Sequence, residues 1–553
     1  MTDTALIDST APKPAPEPRT AVLDDAHVGD IRGALGTIKQ GDNAPRRGIP
    51  AKLKTLLAII GPGLIVMVGD NDAGAFATYG QAGQNYGTRL LWTLLLLVPV
   101  LYVNQEMVLR LGAVTGVGHA RLILERFGKF WGAFSVIDLF LLNALTIVTE
   151  FIGVTLAVGY LGLPKTASVL VAAAVVIVAA STGSFRRFER TAVFLCLGSL
   201  LLVPIYFIIH PSAGTMAHDL VVPGMPHGSQ LSDVMLLIIA IVGTTVAPWQ
   251  LFFQQSYVID KRITPRFMRY EKADLWLGIV IVIVGAAAMM GFAAAAFTGT
   301  GDYGNFDDAA GIAHGLEASA GKVAGVLFAV ALLDASIIGA SAVSLSTAYA
   351  LGDVLGLKHS LHRGVAGAKA FYAIFAGVVL AAAVIVVIPG SPLGLLTEGV
   401  QTLAGVLLPS ASVFLLLLCN DRTVLGPWVN GRAMNAFTSV VVAVLVTLSV
   451  ILTAAVLFPG ITTAAILDIM AVCGVAGILA VGYAELRRRR KGWALAGPVD
   501  RTGRHDWRMP PLDQLPKPVI STGRKVGLTA LRTYLFVAMI LVIVRIVQLA
   551  LGH

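Results

Sequence analysis

The stretch that decides the fold runs from residue 56 to residue 78 and reads LLAIIGPGLIVMVGDNDAGAFAT. It is apolar up to Val68, becomes polar over residues 69–72, and is apolar again from Phe76. A helix that crosses a hydrocarbon core of about 30 Å needs roughly 20 residues, so the polar residues fall at mid-membrane depth. Irregular backbone is tolerated there only where it is buried in protein or lines a water-filled cavity. The stretch therefore predicts a membrane helix that is broken near its centre.

A second apolar stretch is interrupted in the same way. It runs from Val234 to Val242 and then meets GTTVAP over residues 243–248, where Pro248 lacks a backbone donor and clashes with the preceding turn. The two interrupted stretches are the first and the sixth predicted spans. That arrangement is expected of two inverted five-helix repeats whose broken helices face each other at the bilayer midplane, where free carbonyl oxygens can contact a cation. The two breaks predict a transporter with its site between them.

The composition also indicates a membrane protein. The chain has 553 residues, of which 56% are hydrophobic and 13% charged, and its mean hydropathy is +0.79. No ordinary soluble core requires so apolar a composition. We therefore predict an all-α multi-pass membrane protein with about thirteen helices. The predicted spans begin near Leu56, Arg89, Trp131, Thr166, Arg190, Leu231, Asp274, Lys322, Lys369, Leu396, Phe437, Thr462 and Val526.

Three regions follow from this pattern. Residues 1–48 are rich in Pro, Ala, Asp and Thr and contain no apolar segment, which predicts a disordered cytoplasmic tail. Residues 49–430 are predicted to form a core of ten membrane helices, with helices 1 and 6 broken. Residues 431–553 are predicted to add C-terminal membrane helices with a basic cytoplasmic loop over residues 487–525.

The net charge of +9 is distributed between the apolar runs. If the N-terminus lies in the cytoplasm, nearly all the Lys and Arg residues of the loops fall on the cytoplasmic side, as the positive-inside rule requires. The chain shows neither a basic stripe nor a nucleic-acid-binding module, so we predict a cell-membrane protein with no nucleic-acid partner. Cys196, Cys419 and Cys473 have no paired spacing and suggest neither disulfides nor a thiolate metal site.

Asp72 is the strongest candidate for a functional residue. An ionised carboxylate inside a span costs several kcal/mol unless a cation or another partner compensates it, and a bound metal ion would do so. The competing interpretation is that Asp70, Asn71 and Asp72 cap the second half of the helix, because Asp and Asn are favoured N-cap residues. We predict that Asp72 is a ligand; for Asp70 and Asn71 both interpretations stay open.

Further candidates surround the second break and lie on other spans. Gly243 and Thr244 offer carbonyl and hydroxyl oxygens, and Gln401 of the tenth span could add an amide oxygen, although interhelical hydrogen bonding would explain such an amide equally well. The intramembrane acids Glu150 and Asp334 could line the pathway or relay protons. The chain contains no Walker A, HExxH or nucleophile-elbow motif, so we predict no enzyme activity and no cofactor.

At these residues the chain resembles the NRAMP divalent metal transporters. The matching segments are Gly61-Pro-Gly-Leu64, Asp72-Ala-Gly-Ala-Phe-Ala-Thr78, Arg110-Leu-Gly-Ala-Val-Thr-Gly116, Glu150-Phe-Ile-Gly153, Ala247-Pro-Trp-Gln-Leu251, and Gln401 through Leu408-Pro409 to Asp421-Arg422 and Gly426. The resemblance covers roughly residues 52–430. It implies a LeuT-like fold with extra C-terminal helices and a divalent cation as the transported substrate.

The departures from the family pattern concern the metal ligands. The family's Asp-Pro-Gly-Asn is represented here by a segment that ends at Ala75, and its Met-Pro-His by Ala247-Pro248-Trp249. In the family the methionine sulfur favours manganese and iron, since thioethers select softer metals while carboxylate, carbonyl and water oxygens suit magnesium and manganese. A roomier site at Ala75 and Ala247 could hold magnesium with several of its waters. The chain resembles the NRAMP-related magnesium transporter branch.

Proton coupling in typical members of the family depends on the sixth-helix His and on acids of the third helix. Trp249 replaces that His, and Ile147 stands three residues before Glu150, where an Asp is usual. We therefore predict transport of magnesium and manganese, as a monomer, without proton coupling. The alternatives are a proton-coupled manganese or iron importer of ordinary NRAMP type, an amino-acid permease of the same fold, and a metal-binding sensor.

Overall fold

The computed structural model describes residues 21–226, 228–388, 393–458, 461–490, 499–518 and 522–550. These residues form two short strands and twenty-one α-helices. The strands β1 (Ile31–Arg32) and β2 (Thr37–Ile38) pair antiparallel, with Ile31 opposite Ile38. The helices are α1 Ile49–Ile59, α2 Pro62–Val68, α3 Ala73–Tyr86, α4 Leu91–Thr115, α5 His119–Phe127, α6 Lys129–Tyr160, α7 Lys165–Ala180, α8 Phe185–Cys196, α9 Leu202–Ile209, α10 Ala213–Val221, α11 Leu231–Thr245, α12 Pro248–Asp260, α13 Met268–Phe297, α14 Ala309–Ala320, α15 Lys322–Leu355, α16 Lys369–Val387, α17 Leu393–Cys419, α18 Arg422–Leu425, α19 Arg432–Leu457, α20 Thr463–Arg490 and α21 Thr522–Ala550.

Among the described residues, nine helical segments are long and apolar enough to cross a membrane, and two bent pairs of helices would raise the number to eleven. The nine are Leu91–Thr115, Lys129–Tyr160, Phe185–Ile209, Leu231–Asp260, Pro265–Phe297, Lys322–Leu355, Lys369–Val387, Arg432–Ala455 and Thr463–Tyr483. Every predicted span start lies inside a helix or within two residues of one. The chain is therefore a multi-pass membrane protein, as its apolar periodicity predicts.

Both predicted breaks are present, and we refer to them together as the central break. The first is the turn of residues 69–72 between α2 and α3, and the second is the pair Val246 and Ala247 between α11 and α12. Pro248 occupies the first position of α12, where its missing N–H costs no helical hydrogen bond. The second break is shorter than the sequence suggests, because α11 continues through Gly243 and Thr244 to Thr245.

The first helix has another interruption that we did not predict. Between Ile60 and Gly61 the axes of α1 and α2 differ by 53°, and we call this position the inner bend. Gly61 has a φ of 153°, a backbone conformation that residues other than glycine rarely adopt. The local signal was the sequence Gly61-Pro62-Gly63, in which Pro62 starts α2.

Residues 21–48 differ from the expected disordered tail. They contain a short 3₁₀ helix (Asp25–His27) and the β1–β2 hairpin, and we call them the N-terminal strap. Arg262, which follows α12, donates to the carbonyl of Ala26, and Arg186 of α8 donates to the carbonyl of Gly33. Buried backbone carbonyls require such partners. The strap is ordered because distant arginines satisfy its backbone; residues 1–20 lie outside the described residues.

The C-terminal helices pack unequally against the core. Helices α19 and α21 contact α17, whereas α20 packs mainly on α19 and leaves most of its apolar side chains exposed. Residues 499–518, from the predicted basic loop, fold back onto the face that carries the strap: the Met509 N–H donates to the carbonyl of Val114, and Arg126 donates to the carbonyl of Pro516. Residues 491–498 and 519–521 of that loop lie outside the described residues.

Candidate functional site at the central break

Three carboxylic acids meet at the central break. Asp70 and Asp72 belong to the first break, and Glu150 comes from α6; their exposed fractions are 0%, 4% and 0%. The Glu150 carboxyl is within hydrogen-bonding reach of Asp72, and one of its oxygens accepts from the N–H of Ala73 at 3.3 Å. Among the described residues, none of the three forms an ion pair with a Lys, Arg or His side chain. This buried negative charge requires a proton or a cation.

Asp72 has both of the roles that the sequence left in competition. Its Oδ1 accepts from the N–H of Ala75 at 2.9 Å, so it is the N-cap of α3. Its contact with Glu150 brings a second acid to the same place. Capping uses one carboxylate oxygen, which accepts from a backbone N–H of the first helical turn. The carboxylate has further lone pairs that can bind a cation. The two interpretations are therefore compatible.

Asp70 is linked to the sixth helix through an amide. The Gln250 Nε2 group donates to Asp70 Oδ1, and the Gln250 Oε1 atom accepts from Gln105 of α4 at 2.9 Å. The other carboxylate oxygen, Asp70 Oδ2, is buried and has no partner among the described residues. Gln250 thus fixes the orientation of Asp70 and leaves one of its oxygens free. We did not single out Gln105 from the sequence.

Asn71 is turned toward α13. Its Nδ2 group donates to the carbonyl of Val282 at 3.2 Å, while its buried Oδ1 lacks a partner among the described residues. The amide therefore anchors the turn to α13, as a structural role requires, and keeps an acceptor oxygen.

The hydroxyl groups of the second break are occupied differently. Thr245 is engaged, because it contacts Tyr79 at 2.7 Å and donates to the carbonyl of Ile241 at 2.5 Å. The Thr244 hydroxyl is buried without a partner among the described residues. Gly243 lies in the last turn of α11, where helix carbonyls have no helical donor. Thr244 is thus the available hydroxyl of this pair.

The two small residues and the tryptophan line the break. Ala75 and Ala247 are buried, and Ala247 precedes the proline that starts α12. The Trp249 ring lies 3.8 Å from the position that a β-carbon on Gly69 would take. The backbone carbonyl of Trp249 accepts from the Ser346 hydroxyl. The indole therefore packs beside the first break and presents no titratable group there.

The structure places one predicted residue, Asp334, away from this cluster and does not describe the side chain of another, Gln401. Asp334 lies on a different side of α15: its carboxylate sits against Gly198, in the 3₁₀ segment Leu197–Leu201, where a β-carbon would overlap it. The α15 residue that faces Glu150 is Gly339. The side chain of Gln401 lies outside the described residues. Asp334 is therefore not placed beside Glu150, and its role in the transport pathway stays a prediction.

The donors at the break are oxygens. Within the described part of the chain, no three His, Cys, Asp or Glu side chains are spaced to hold one metal ion. An ion would accordingly combine one or two carboxylates with a hydroxyl, carbonyls and water, which is a set typical of hard cations. The assignment of individual ligands stays a prediction.

Comparison with known proteins identifies the family. Residues 63–455 match the family described as natural resistance-associated macrophage protein-like, Nramp. The chain belongs to the Nramp family. Its N-terminal strap and its residues after 455 lie outside the match.

Curated relatives agree with this membership, and a solved structure shares the fold. The divalent metal cation transporter MntH of Ralstonia nicotianae is 31% identical over 407 residues, which cover 69% of this chain and 87% of the relative. The MntH of Bacillus subtilis is 29% identical over an alignment that covers 62% of this chain and 76% of the relative. The structure of the Eremococcus coleocola manganese transporter aligns with a TM-score of 0.62 at 20% identity and covers 83% of this chain and 98% of that one. The predicted all-α multi-pass fold is confirmed, and the relatives are transporters and not enzymes.

Proposed function

We propose that this Nramp-family protein carries divalent metal cations across a membrane and that the ion binds at the central break. The observation that carries the proposal is the group formed by Asp70, Asp72 and Glu150, which is buried and receives no counter-charge from a described Lys, Arg or His. A divalent cation would neutralise this group where helix ends also offer carbonyl oxygens. The MntH relatives and the Eremococcus coleocola manganese transporter carry names that fit this substrate class.

Magnesium and manganese are the proposed substrates. The side chains at the break offer carboxylate, hydroxyl and amide oxygens, and Ala247 takes the position at which the family places a methionine. Magnesium loses its water reluctantly and binds through one or two carboxylates with waters retained. Because Ala75 and Ala247 carry small side chains, we expect the break to accommodate those waters. A site without a thioether has lost one means of preferring softer ions.

Transport is proposed to proceed without proton coupling. Trp249 packs beside the break where the family has a titratable histidine, and Ile147 occupies the usual aspartate position on α6. One observation favours the alternative, a proton-coupled manganese or iron importer: Glu150 is within hydrogen-bonding reach of Asp72 and could exchange a proton with it. The two proposals differ in whether a proton crosses with each ion.

Membrane orientation and assembly are proposed from the sequence. The face with the N-terminal strap also carries Lys261, Arg262 and Arg363, which donate to the strap or to helix ends. By the positive-inside rule this face is cytoplasmic, and we call it the inner face. We propose a cell-membrane monomer. The orientation is tested by adding protease to one side of the membrane or to the other and asking on which side a tag at the N-terminus is protected.

The deciding experiment is a metal panel in liposomes that contain the purified protein and an internal pH dye. We expect saturable uptake of magnesium and manganese with no internal acidification, and much weaker uptake of cadmium. Uptake of manganese and cadmium without magnesium, accompanied by stoichiometric acidification, would instead establish the proton-coupled importer. Protein-free liposomes with the same gradients provide the leak control.

A further inference from the structure

A second set of buried charges surrounds the inner bend, away from the central break. Asp274 of α13 accepts from the N–H groups of Gly61, Gly63 and Leu64, at 2.6 Å in the case of Gly63. These are orphan donors at the start of α2, where the helix dipole also favours an anion. Asp274 is therefore fully engaged as a cap.

Lys261 satisfies the opposite side of the same bend. Its ammonium group donates to the carbonyls of Ile59 and Ile60, at 2.5 and 2.8 Å, and to Glu189 of α8 at 2.7 Å. The second Glu189 oxygen accepts from the N–H of Ala34 in the strap at 2.5 Å. Both side chains of the pair are 0% exposed. Lys261 and Glu189 thus saturate each other and join α1, α8, α12 and the strap.

Glu271 of α13 is left without a partner in this cluster. It is 0% exposed, and neither of its carboxyl oxygens has a hydrogen-bond partner among the described residues. The charged groups that act on it are Asp274, Lys261 and Glu189. The neighbouring Lys272 points to α4, where it pairs with Glu106 at 2.9 Å. Among the described residues, three carboxyl groups therefore share one ammonium, and Glu271 is the one that forms no ion pair.

We propose that Glu271 is a proton-binding site that makes the inner bend sensitive to the pH on the inner face. A proton fits better than a metal ion, because Asp274 and Glu189 already use their oxygens for Gly63, Lys261 and Ala34. The remaining single carboxyl group can be neutralised by one proton on one oxygen.

The direction of the effect follows from linkage. In the described conformation Glu271 is buried, so this conformation favours its protonated form. A conformation in which α1 moves away from α13 would admit water to Glu271 and would favour its ionised form. Acid on the inner face therefore stabilises the closed bend, and alkali favours its opening. The consequence for transport rate rests on the proposed function, whereas the consequence for stability does not.

The first test measures the melting temperature of the detergent-purified protein as a function of pH. Because the folded state holds the Glu271 proton more tightly than the unfolded chain, the wild type should lose stability as pH rises above the usual glutamate range. Glu271→Gln should remove this component, so that its melting temperature exceeds that of the wild type by about 2 °C or more at alkaline pH. Glu125→Gln on α5, whose side chain is partly exposed and paired with Arg121, is the matched control.

Two outcomes would overturn the proposal, and a second variant covers the case in which Glu271→Gln does not fold. Parallel pH profiles for the wild type and Glu271→Gln would overturn it. A magnesium-dependent stabilisation that Glu271→Gln loses and Asp72→Asn keeps would also overturn it, because Glu271 would then bind a metal ion. Glu271→Met, which fills the same space without charge, replaces Glu271→Gln if the amide variant does not fold, and it should show the same loss of pH dependence.

The second test connects the site to transport. With the pH changed on the inner face alone, wild-type uptake should rise from acid to alkali, and uptake by Glu271→Gln should be slow and independent of that pH. If neither protein transports any divalent ion while the melting profiles differ as expected, the proposed function fails and the proton site stands. If both transport with the same pH profile, the regulatory inference fails and the transport function stands.

Discussion

The first helix is interrupted twice, and the two interruptions are neutralised in different ways. At the inner bend, Asp274 caps the start of α2 and Lys261 caps the end of α1. The free N–H groups there bind a carboxylate and the free carbonyls bind an ammonium group. At the central break, Asp70 and Asp72 meet Glu150, and no described Lys, Arg or His pairs with them. Both regions are buried. The backbone of the inner bend is capped by the protein's own side chains, and only Glu271 is left there to take up a proton, while the central break needs a metal ion from outside.

This difference separates a structural break from a binding site. An acidic residue beside irregular backbone is not sufficient evidence of a cation site, because Asp274 is such a residue and is fully used by backbone N–H groups. The informative feature is a group of unpartnered buried oxygens from several residues, such as Asp70 Oδ2, Asn71 Oδ1 and the Thr244 hydroxyl at the central break, whereas Glu271 alone has such oxygens at the inner bend. Leaving such groups unsatisfied costs about 1–3 kcal/mol each, which a bound ion would recover.

The largest effect is expected when the ammonium group of Lys261 is removed from the inner bend. Lys261→Met leaves Glu189 buried without its ionic partner, which should lower the free energy of unfolding by about 3–5 kcal/mol. Thermal unfolding in detergent measures the change. The exposed Lys129→Met at the start of α6 serves as control, and adding Glu189→Gln to Lys261→Met should restore part of the loss. A Lys261→Met protein as stable as the control would contradict the assignment.

The next effect is on transport at the central break. Asp72→Asn retains a side chain that can cap α3 but removes the carboxylate charge, so uptake of magnesium and manganese should fall by about 100-fold or more. Initial rates in liposomes provide the measurement. Asp307→Asn, in the exposed loop before α14, should transport normally. Unchanged uptake by Asp72→Asn would place the ion elsewhere.

A change of ligand softness should alter selectivity. Ala247→Met introduces a thioether at the start of α12 and should shift the ratio of cadmium or manganese uptake to magnesium uptake by about tenfold. Ala247→Leu adds similar bulk without sulfur and should reduce transport of all ions alike. Competition between labelled manganese and unlabelled magnesium reports the ratio. Equal shifts in the two variants would show that volume, and not sulfur, sets selectivity.

The smallest effect is expected at Asp334. Since this residue lies against Gly198 and not beside Glu150, Asp334→Asn should change uptake by less than about twofold. Glu150→Gln, which alters the partner of Asp72, is the contrasting variant and should reduce uptake clearly. A large loss in Asp334→Asn would return this residue to the transport pathway.

Local chemistry made the helices and the central break predictable. Asp72 caps the helix that follows it and Pro248 starts the next one, so both breaks are encoded within a few residues. The inner bend had a local signal in Gly61 and Pro62, which the apolar pattern concealed. Its partners could not be predicted, because Asp274 is 213 residues from Gly61 in the chain.

Charge and order at the inner face depend on similar long-range contacts. The sequence of the strap predicts a polar, disordered tail. In the structure the strap is ordered because it accepts hydrogen bonds from Arg262, Arg186 and Arg363, which lie far away in sequence. The sequence identified Glu150 as deep in the membrane but could not show that it meets Asp72. It equally could not separate Glu150 from Asp334, since both read as isolated acids in apolar helices. Only packing distinguishes them.

The most direct test of the central claim locates the ion. Crystals of the wild-type protein soaked in manganese would be measured at the manganese absorption edge, with and without excess magnesium. The account predicts an anomalous difference peak at the central break beside Asp72, which excess magnesium removes. A peak at the inner bend beside Glu271, or a peak at Asp72 that magnesium does not displace, would contradict it.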